Sequence, residues 1–74
     1  MWIRSQDKTE LIDTKRIQVN NKSLYAFENN GNEESWIKIG DYNSKERALE
    51  ILDDIELEIT SYNPDNNVYI MMEE

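Results

Sequence analysis

The chain is short and acidic, and it lacks two of the residue types on which many enzyme sites depend. Its 74 residues include sixteen Asp and Glu against eight Lys and Arg, a formal net charge of −8, with neither His nor Cys. The length predicts a single domain covering residues 1–74. Without thiolate or imidazole there is no Ser-His-Asp triad, disulfide or zinc site of the usual kinds, so we expect no enzyme activity, metal or cofactor.

Neither a membrane span nor a leader segment is expected. No apolar run approaches the roughly 20 residues that cross a bilayer. The first seven residues also lack the apolar core of a signal peptide. We therefore expect the protein in the cytoplasm.

Negative charge is concentrated in the second half of the chain. Residues 38–74 hold three basic and ten acidic groups, whereas residues 1–37 hold five and six. Direct nucleic-acid binding through phosphate neutralisation is therefore not expected, and a basic protein surface is the natural electrostatic partner. The alternative is that the acidity only keeps a small protein soluble.

Short segments of alternating polarity predict the strands. In the first of them Trp2, Arg4 and Gln6 share one face, because successive side chains of a strand point to opposite sides. The other predicted strands are residues 15–19, 24–27, 35–39 and 68–72, with 11–12 as a short extended piece or the start of the next strand.

Asparagine-rich segments predict the turns. Residues 20–21 suit a type I′ hairpin turn, since asparagine tolerates the positive φ that this turn needs at both central positions. Residues 29–32 carry the strongest turn signal. Pro64 ends the helix by disfavouring helical backbone at the residue before it, and residues 65–67 are predicted to form a turn.

The helix is the clearest element of the sequence. Asn43 or Ser44 can cap it, and an Asn43 cap would place Glu46 at the third helical position, as in a capping box. At 100° per residue, one apolar stripe runs along the helix and predicts its core face. That stripe consists of Ala48, Leu52, Ile55, Ile59 and Tyr62, with Ile51 at its edge.

These elements predict an α+β fold. Three to five strands form a small antiparallel meander, one long C-terminal helix packs on it, and a final strand pairs in the sheet or projects as an edge. One core in so short a chain rarely supplies more than about 3–5 kcal/mol, so we also expect a homo-oligomer that buries the apolar side chains left over. These are Tyr25, Phe27, Trp36, Leu57, Met71 and Met72.

The solvent side of the helix is a candidate surface for binding a protein partner. Leu57 lies nearly opposite the apolar stripe, and Leu49 lies about 100° from it. Around them are the carboxylates of Glu46, Glu50 and Asp53. A hydrophobic contact inside an acidic rim suits a partner protein or a second copy. The alternative is an ordinary solvated face, because single exposed leucines are common.

A second candidate site, for a nucleotide ligand, combines aromatic and basic side chains on two strands. Trp2, Arg4 and Gln6 share one strand face, and Trp36 and Lys38 share another. Such groups can stack on a base and bind its phosphate. Alternatively, both tryptophans are core residues and Arg4 pairs with a nearby acid, since tryptophan is largely buried on average.

Three segments resemble a group of short proteins. Residues 1–8 (MWIRSQDK), 40–42 (GDY) and 44–52 (SKERALEIL) are similar to uncharacterised proteins of low-GC Gram-positive bacteria, their phages and mobile elements. The resemblance implies a context rather than a mechanism: a small accessory protein, in the host cell cytoplasm if phage-encoded. Small acidic phage proteins often inhibit host defence by binding it, which is an analogy of size and charge.

Three functions follow from these patterns as hypotheses. The leading one is a non-enzymatic binding protein, of phage or mobile-element origin, that occupies a host or defence protein stoichiometrically. The second is a nucleotide-binding sponge with pockets at the interfaces of an oligomer. The third is a nucleic-acid mimic whose acidic surface occupies a DNA-binding cleft, with steep sensitivity to salt.

Overall fold

The computed structural model describes residues 1–31, 33–60 and 68–74. In this part of the chain, six strands and one helix follow one another, and the predicted α+β class with a helix before a final strand is confirmed. The elements are β1 (Trp2–Arg4), β2 (Leu11–Asp13), β3 (Ile17–Asn20), β4 (Ser23–Asn30), β5 (Glu33–Asp41), α1 (Lys45–Thr60) and β6 (Val68–Ile70). No helix among the described residues is long and apolar enough to cross a membrane.

The strands form two three-stranded sheets, a division that the expected meander did not contain. In the first sheet β1 lies between β2, which is antiparallel to it, and β6, which is parallel. In the second sheet β3, β4 and β5 follow one another as antiparallel neighbours. Parallel pairing needs a long crossover, and the chain between β1 and β6, which includes α1, supplies it.

Both sheets and the helix contribute to one core. In β5 the predicted alternation holds, because Ile39 is buried and Ile37 half-buried while Trp36 and Lys38 face outward. Met71, expected to be left over for an oligomer contact, is instead fully buried, so that expectation is wrong. The buried apolar residues are Ile3, Ile12, Leu24, Ala26, Ile39, Tyr42, Ala48, Ile51, Ile55, Tyr69 and Met71.

The buried side of α1 differs from the predicted stripe. Ala48, Ile51 and Ile55 are at most 1% exposed, and Leu52 is half-buried. Ile59 is 64% exposed, so its assignment to the core is wrong. Its side chain borders an open groove beside the last turn of the helix. Residue 62, the last member of the stripe, lies outside the described residues.

Ser44 is the residue that caps α1. Its hydroxyl oxygen accepts a hydrogen bond from the backbone N–H of Arg47 at 3.1 Å, and its carbonyl accepts one from Ala48 at 3.1 Å. Arg47 therefore occupies the third helical position, and the capping box with Asn43 and Glu46 is wrong. The backbone N–H of Asn43 donates instead to a carboxylate oxygen of Glu74, at 2.6 Å.

The two hairpin turns of the second sheet test the turn predictions. Asn20 pairs with Ser23, so the first turn comprises residues 21–22, one residue later than predicted. Its φ is positive at Asn21 (61°) but not at the next residue, so the predicted type I′ turn, which needs a positive φ at both central residues, is wrong. The second turn begins later than the predicted segment 29–32, because Asn29 and Asn30 belong to β4, and Gly31 has a φ of 70°. Residue 32 and the predicted helix stop and turn at 63–67 lie outside the described residues.

Replacing the helix cap tests this assignment. Ser44→Ala removes the acceptor for the Arg47 N–H, and we expect it to lower the free energy of unfolding by about 1 kcal/mol. Asn43→Ala is the matched control, because the bond from Asn43 uses only its backbone. Urea unfolding of both variants measures the difference, and a larger loss in the Asn43 variant would contradict the assignment.

Candidate functional site

The turn after β1 is built around the carboxylate of Asp7. One oxygen of this group accepts hydrogen bonds from the hydroxyl and the backbone N–H of Thr9 (2.7 and 3.0 Å) and from the Ser5 hydroxyl (2.7 Å). Lys8 takes the left-handed backbone conformation, with φ of 67°. These bonds favour the charged carboxylate. Led by the Thr9 and Ser5 hydroxyls, they lower the pKa of Asp7 to about 2.

Arg4 and Gln6, both predicted to bind a ligand, make hydrogen bonds within the fold. The Arg4 guanidinium donates from Nε and Nη2 to the carbonyl oxygen of Lys8, at 3.2 and 2.9 Å. The Gln6 side chain accepts a bond from the backbone N–H of Asp41 (2.8 Å) and donates to the carbonyl oxygen of Met72 (3.2 Å). Arg4 thus binds a backbone carbonyl rather than the acid expected in the alternative interpretation.

Neither tryptophan is a core residue, so the alternative that placed both in the core is wrong. Trp2 is 42% exposed on the outer side of the first sheet, and Trp36 is 41% exposed on the outer side of the second. In the first sheet Trp2 pairs with Asp13 on one side and Val68 on the other. In the second sheet Trp36 pairs with Phe27.

Trp36 belongs to a cluster of aromatic and guanidinium groups. Its ring meets that of Phe27 edge-on, with centroids 5.1 Å apart, and the Arg16 guanidinium carbon lies 5.6 Å from the centroid of a Trp36 ring. Lys38, two residues further along β5, lies 3.9 Å from a carboxylate oxygen of Asp41. Arg16 was not predicted for this site. The alternation of the strand could have indicated it, because residues 16 and 18 point to the same outward side.

The five residues predicted for the nucleotide site therefore lie in different settings. Trp2 and Arg4 belong to the first sheet, and Trp36 and Lys38 to the second. Gln6 follows β1 and joins the two sheets through its backbone and side chain.

The residues predicted for the partner-binding side of α1 are all exposed. Leu49 is 42% exposed and Leu57 is 63% exposed. Glu46, Glu50 and Asp53 surround them on the helix. Glu50 lies 3.5 Å from the guanidinium of Arg47, which also binds Glu74. Among the described residues these five predicted side chains, here called the helix face, are exposed.

A groove of about 520 Å³ lies between α1 and the connection from β2 to β3. Asp53 and Glu56 border it on the helix, and Lys15 borders it on the other side. Sequence reasoning missed the groove, because it assigned Ile59 to the core. The lining residues are Met1, Thr14, Lys15, Ile17, Leu52, Asp53, Ile55, Glu56 and Ile59.

Comparison of the chain with protein-family models, curated proteins and solved structures finds no match. Within the described ranges, no three acidic side chains lie close enough together to hold a metal ion.

Acid titration tests the role of the Asp7 carboxylate. The pKa of this carboxyl falls from 3.8 in the unfolded chain to about 2 in the folded protein. Its contribution to stability is therefore complete at pH values above the unfolded-state pKa, and it is lost as the pH falls through the folded-state pKa. Asp7→Asn keeps an acceptor oxygen but loses the charge, so it should destabilise the protein at neutral pH. The difference from wild type in the free energy of unfolding should shrink between pH 3.8 and about 2. A difference that stays constant over this interval would contradict the assignment.

Proposed function

We propose that this chain is a small non-enzymatic binding protein that acts by stoichiometric occupation of a host or defence protein, in the cytoplasm of a cell that carries a phage or mobile element. The observation that carries the proposal is the helix face, where exposed Leu49 and Leu57 lie among the carboxylates of Glu46, Glu50 and Asp53. The biological setting rests on the resemblance of three sequence segments.

The distribution of charge along α1 supports a role in binding. Six of its 16 residues are acidic, two are basic, and no basic residue lies in the last turn. A cation near the C-terminus of a helix stabilises it by about 0.3–1 kcal/mol, and an anion there opposes folding. Glu58 in the last turn therefore works against the stability of the helix. Natural proteins often depart from such local preferences for stability at their functional sites.

The groove beside α1 offers a place for an apolar side chain of the partner. Ile55 and Ile59 line it, with Asp53 and Glu56 at its edge. Interfaces concentrate binding energy where a large side chain fills a desolvated pocket. The partner we propose therefore presents basic residues toward the helix face and an apolar side chain toward the groove.

Charge reversal on the helix face tests the proposal. The triple variant Glu46→Lys, Glu50→Lys and Asp53→Lys should weaken capture of the partner at least about tenfold, a loss of roughly 1.4 kcal/mol, because it opposes the basic surface. The measurement is a pull-down from a Gram-positive host lysate, with mass spectrometry of the captured proteins and small molecules.

The matched control reverses three exposed acids away from α1, Glu10, Glu33 and Glu34, with the same change in net charge. A protein retained by this control and lost by the helix variant supports the proposal. Equal retention by both variants contradicts the helix face as the binding surface. Competition by DNA for the captured protein would mark the acidic surface as a nucleic-acid mimic.

A nucleotide ligand is the second candidate, and the cluster around Trp36 favours it. Trp36 is 41% exposed beside the guanidinium of Arg16. Lys38 lies two positions further along the same side of β5 and offers a cation for a phosphate. Stacking of a base on an aromatic ring is worth about 1–3 kcal/mol.

Thermal unfolding in the presence of cyclic and linear nucleotides tests this second candidate. A ligand at about 100 times its Kd stabilises by roughly 2.7 kcal/mol, which raises the Tm of a domain of this size by several degrees. Trp36→Ala should abolish the shift. Trp2→Ala, which removes an equally exposed tryptophan from the other sheet, should preserve it. No shift with any nucleotide at millimolar concentration rejects the candidate.

A further inference from the structure

The first sheet carries apolar side chains on both of its sides. Its inner side contributes Ile3, Ile12 and Tyr69 to the core. Its outer side, here called the outer face, also carries Arg4 and Asp13. The remaining four residues of the outer face are large and apolar, with exposed fractions of 42%, 57%, 40% and 55%: Trp2, Leu11, Val68 and Ile70.

This arrangement is unusual for a sheet that faces water. An antiparallel sheet with one solvated side normally alternates apolar and polar residues, and continuous apolar strands are typical of sheets covered on both sides. β6 reads Val-Tyr-Ile without a charged residue. The largest contiguous apolar patch on a monomeric protein is often a functional site. The outer face therefore has the composition of a surface that another layer covers.

We propose that a second copy of this chain covers the outer face, in a two-fold symmetric dimer. A two-fold interface uses the same patch on both copies, so the patch must be complementary to itself. The outer face carries one cation, Arg4, and one anion, Asp13, whose carboxylate lies 3.0 Å from the terminal ammonium group. It therefore has no excess of negative charge, in a chain whose net charge is −8.

Charge also argues against the helix face as the dimer contact. Two copies that met there would bring Glu46, Glu50 and Asp53 of each against the same carboxylates of the other. Like charges facing each other across an interface cost several kcal/mol. The acidity that suits the helix face to a basic partner thus directs self-association to the outer face.

The strand register gives the dimer a specific contact. Asp13, Trp2 and Val68 form one row across the three strands, and Leu11, Arg4 and Ile70 form the next. A two-fold axis that lies in the face and runs across the strands places Arg4 of each copy over Trp2 of the other. A guanidinium within about 6 Å of a tryptophan ring is attracted to it.

The Arg4 side chain is prepared for this contact. Its two bonds to the carbonyl oxygen of Lys8, at 3.2 and 2.9 Å, already hold the guanidinium in one orientation. Ordering a long side chain on association normally costs conformational entropy. Since Arg4 is ordered before the copies meet, most of that cost falls on folding rather than on dimerisation.

Size and charge set the expected strength of the dimer. Three short strands about 4.8 Å apart make a small face, of the class that buries less than about 1,200 Å² in total. We therefore expect association in the micromolar range or weaker. Salt should strengthen it, because screening reduces the repulsion between two acidic chains. Binding of a basic partner to the helix face should weaken with salt instead.

Sedimentation equilibrium over about a hundredfold range of concentration, at low and high salt, tests the proposal. The mass should rise from 8.8 kDa toward twice that value, more readily at high salt. Leu11→Lys should weaken the dimer at least about tenfold. Leu57→Lys is the matched control, since it makes the same change at a leucine of similar exposure, 63% against 57%, and should leave the dimer intact.

A wild-type mass of 8.8 kDa at every concentration and salt would overturn the proposal. So would a dimer that Leu57→Lys disrupts and Leu11→Lys does not. Circular dichroism verifies that each variant folds. Leu57→Lys changes only the helix face and Leu11→Lys changes only the outer face. Loss of the dimer and loss of partner binding would therefore appear in different variants, so the two proposals can fail independently.

A second measurement leaves the outer face unaltered. Trp36→Phe makes Trp2 the sole tryptophan of the chain. Acrylamide quenching of its fluorescence should fall as the concentration rises through the range in which the mass doubles. Quenching that stays constant while the mass doubles would place the contact elsewhere and contradict the proposal.

Discussion

Three hydrogen bonds of Gln6 hold the separate parts of this fold together. Its backbone N–H donates to the carbonyl of Ile39 at 2.8 Å, which joins the segment after β1 to a strand of the other sheet. Its side-chain oxygen accepts from Asp41 at 2.8 Å, and its side-chain nitrogen donates to Met72 at 3.2 Å. One core in so short a chain supplies only about 3–5 kcal/mol. Polar contacts that fix the two sheets relative to each other therefore matter more here than in a larger domain.

Residues 40–44 add further contacts around these bonds. Gly40 allows a close approach, because a Cβ at that position would lie 2.9 Å from the ring of Tyr42 and 3.0 Å from Met71. Burial raises the pKa of Tyr42 to about 12, and its hydroxyl donates to the carbonyl of Met72 at 2.8 Å. Ser44 caps the helix two residues later. These residues thus specify a turn, a cap and the contacts between elements rather than a binding site.

Local pattern predicted the helix, the positions of most strands and the inward side of β5, because each depends on residues adjacent in the sequence. It did not predict the division into two sheets or the parallel pairing of β6, since periodicity carries no information about which strands meet. The two tryptophans show the same limit. The average burial of tryptophan favours the core for both, yet Trp2 is 42% and Trp36 41% exposed, on the outer sides of the two sheets. For the candidate sites, the open side of α1 was predictable from helical spacing, whereas the contact of Arg16 with Trp36 depends on strand register.

The two proposed surfaces follow from a single division of charge. Acidic residues are concentrated on α1 and at the end of the chain, so the first sheet is left with apolar side chains and a balanced pair of charges. The acidic helix face would attract a basic partner, and that affinity would fall as salt screens the charges. The apolar outer face would associate with the same face of a second copy, and that affinity would rise with salt. The dimer would leave both helices away from the contact, because α1 lies on the inner side of the first sheet, where the Tyr69 hydroxyl donates to a carboxylate oxygen of Asp54 at 2.6 Å. Self-association and capture of a partner are therefore compatible, and a dimer would present two acidic helices to its target.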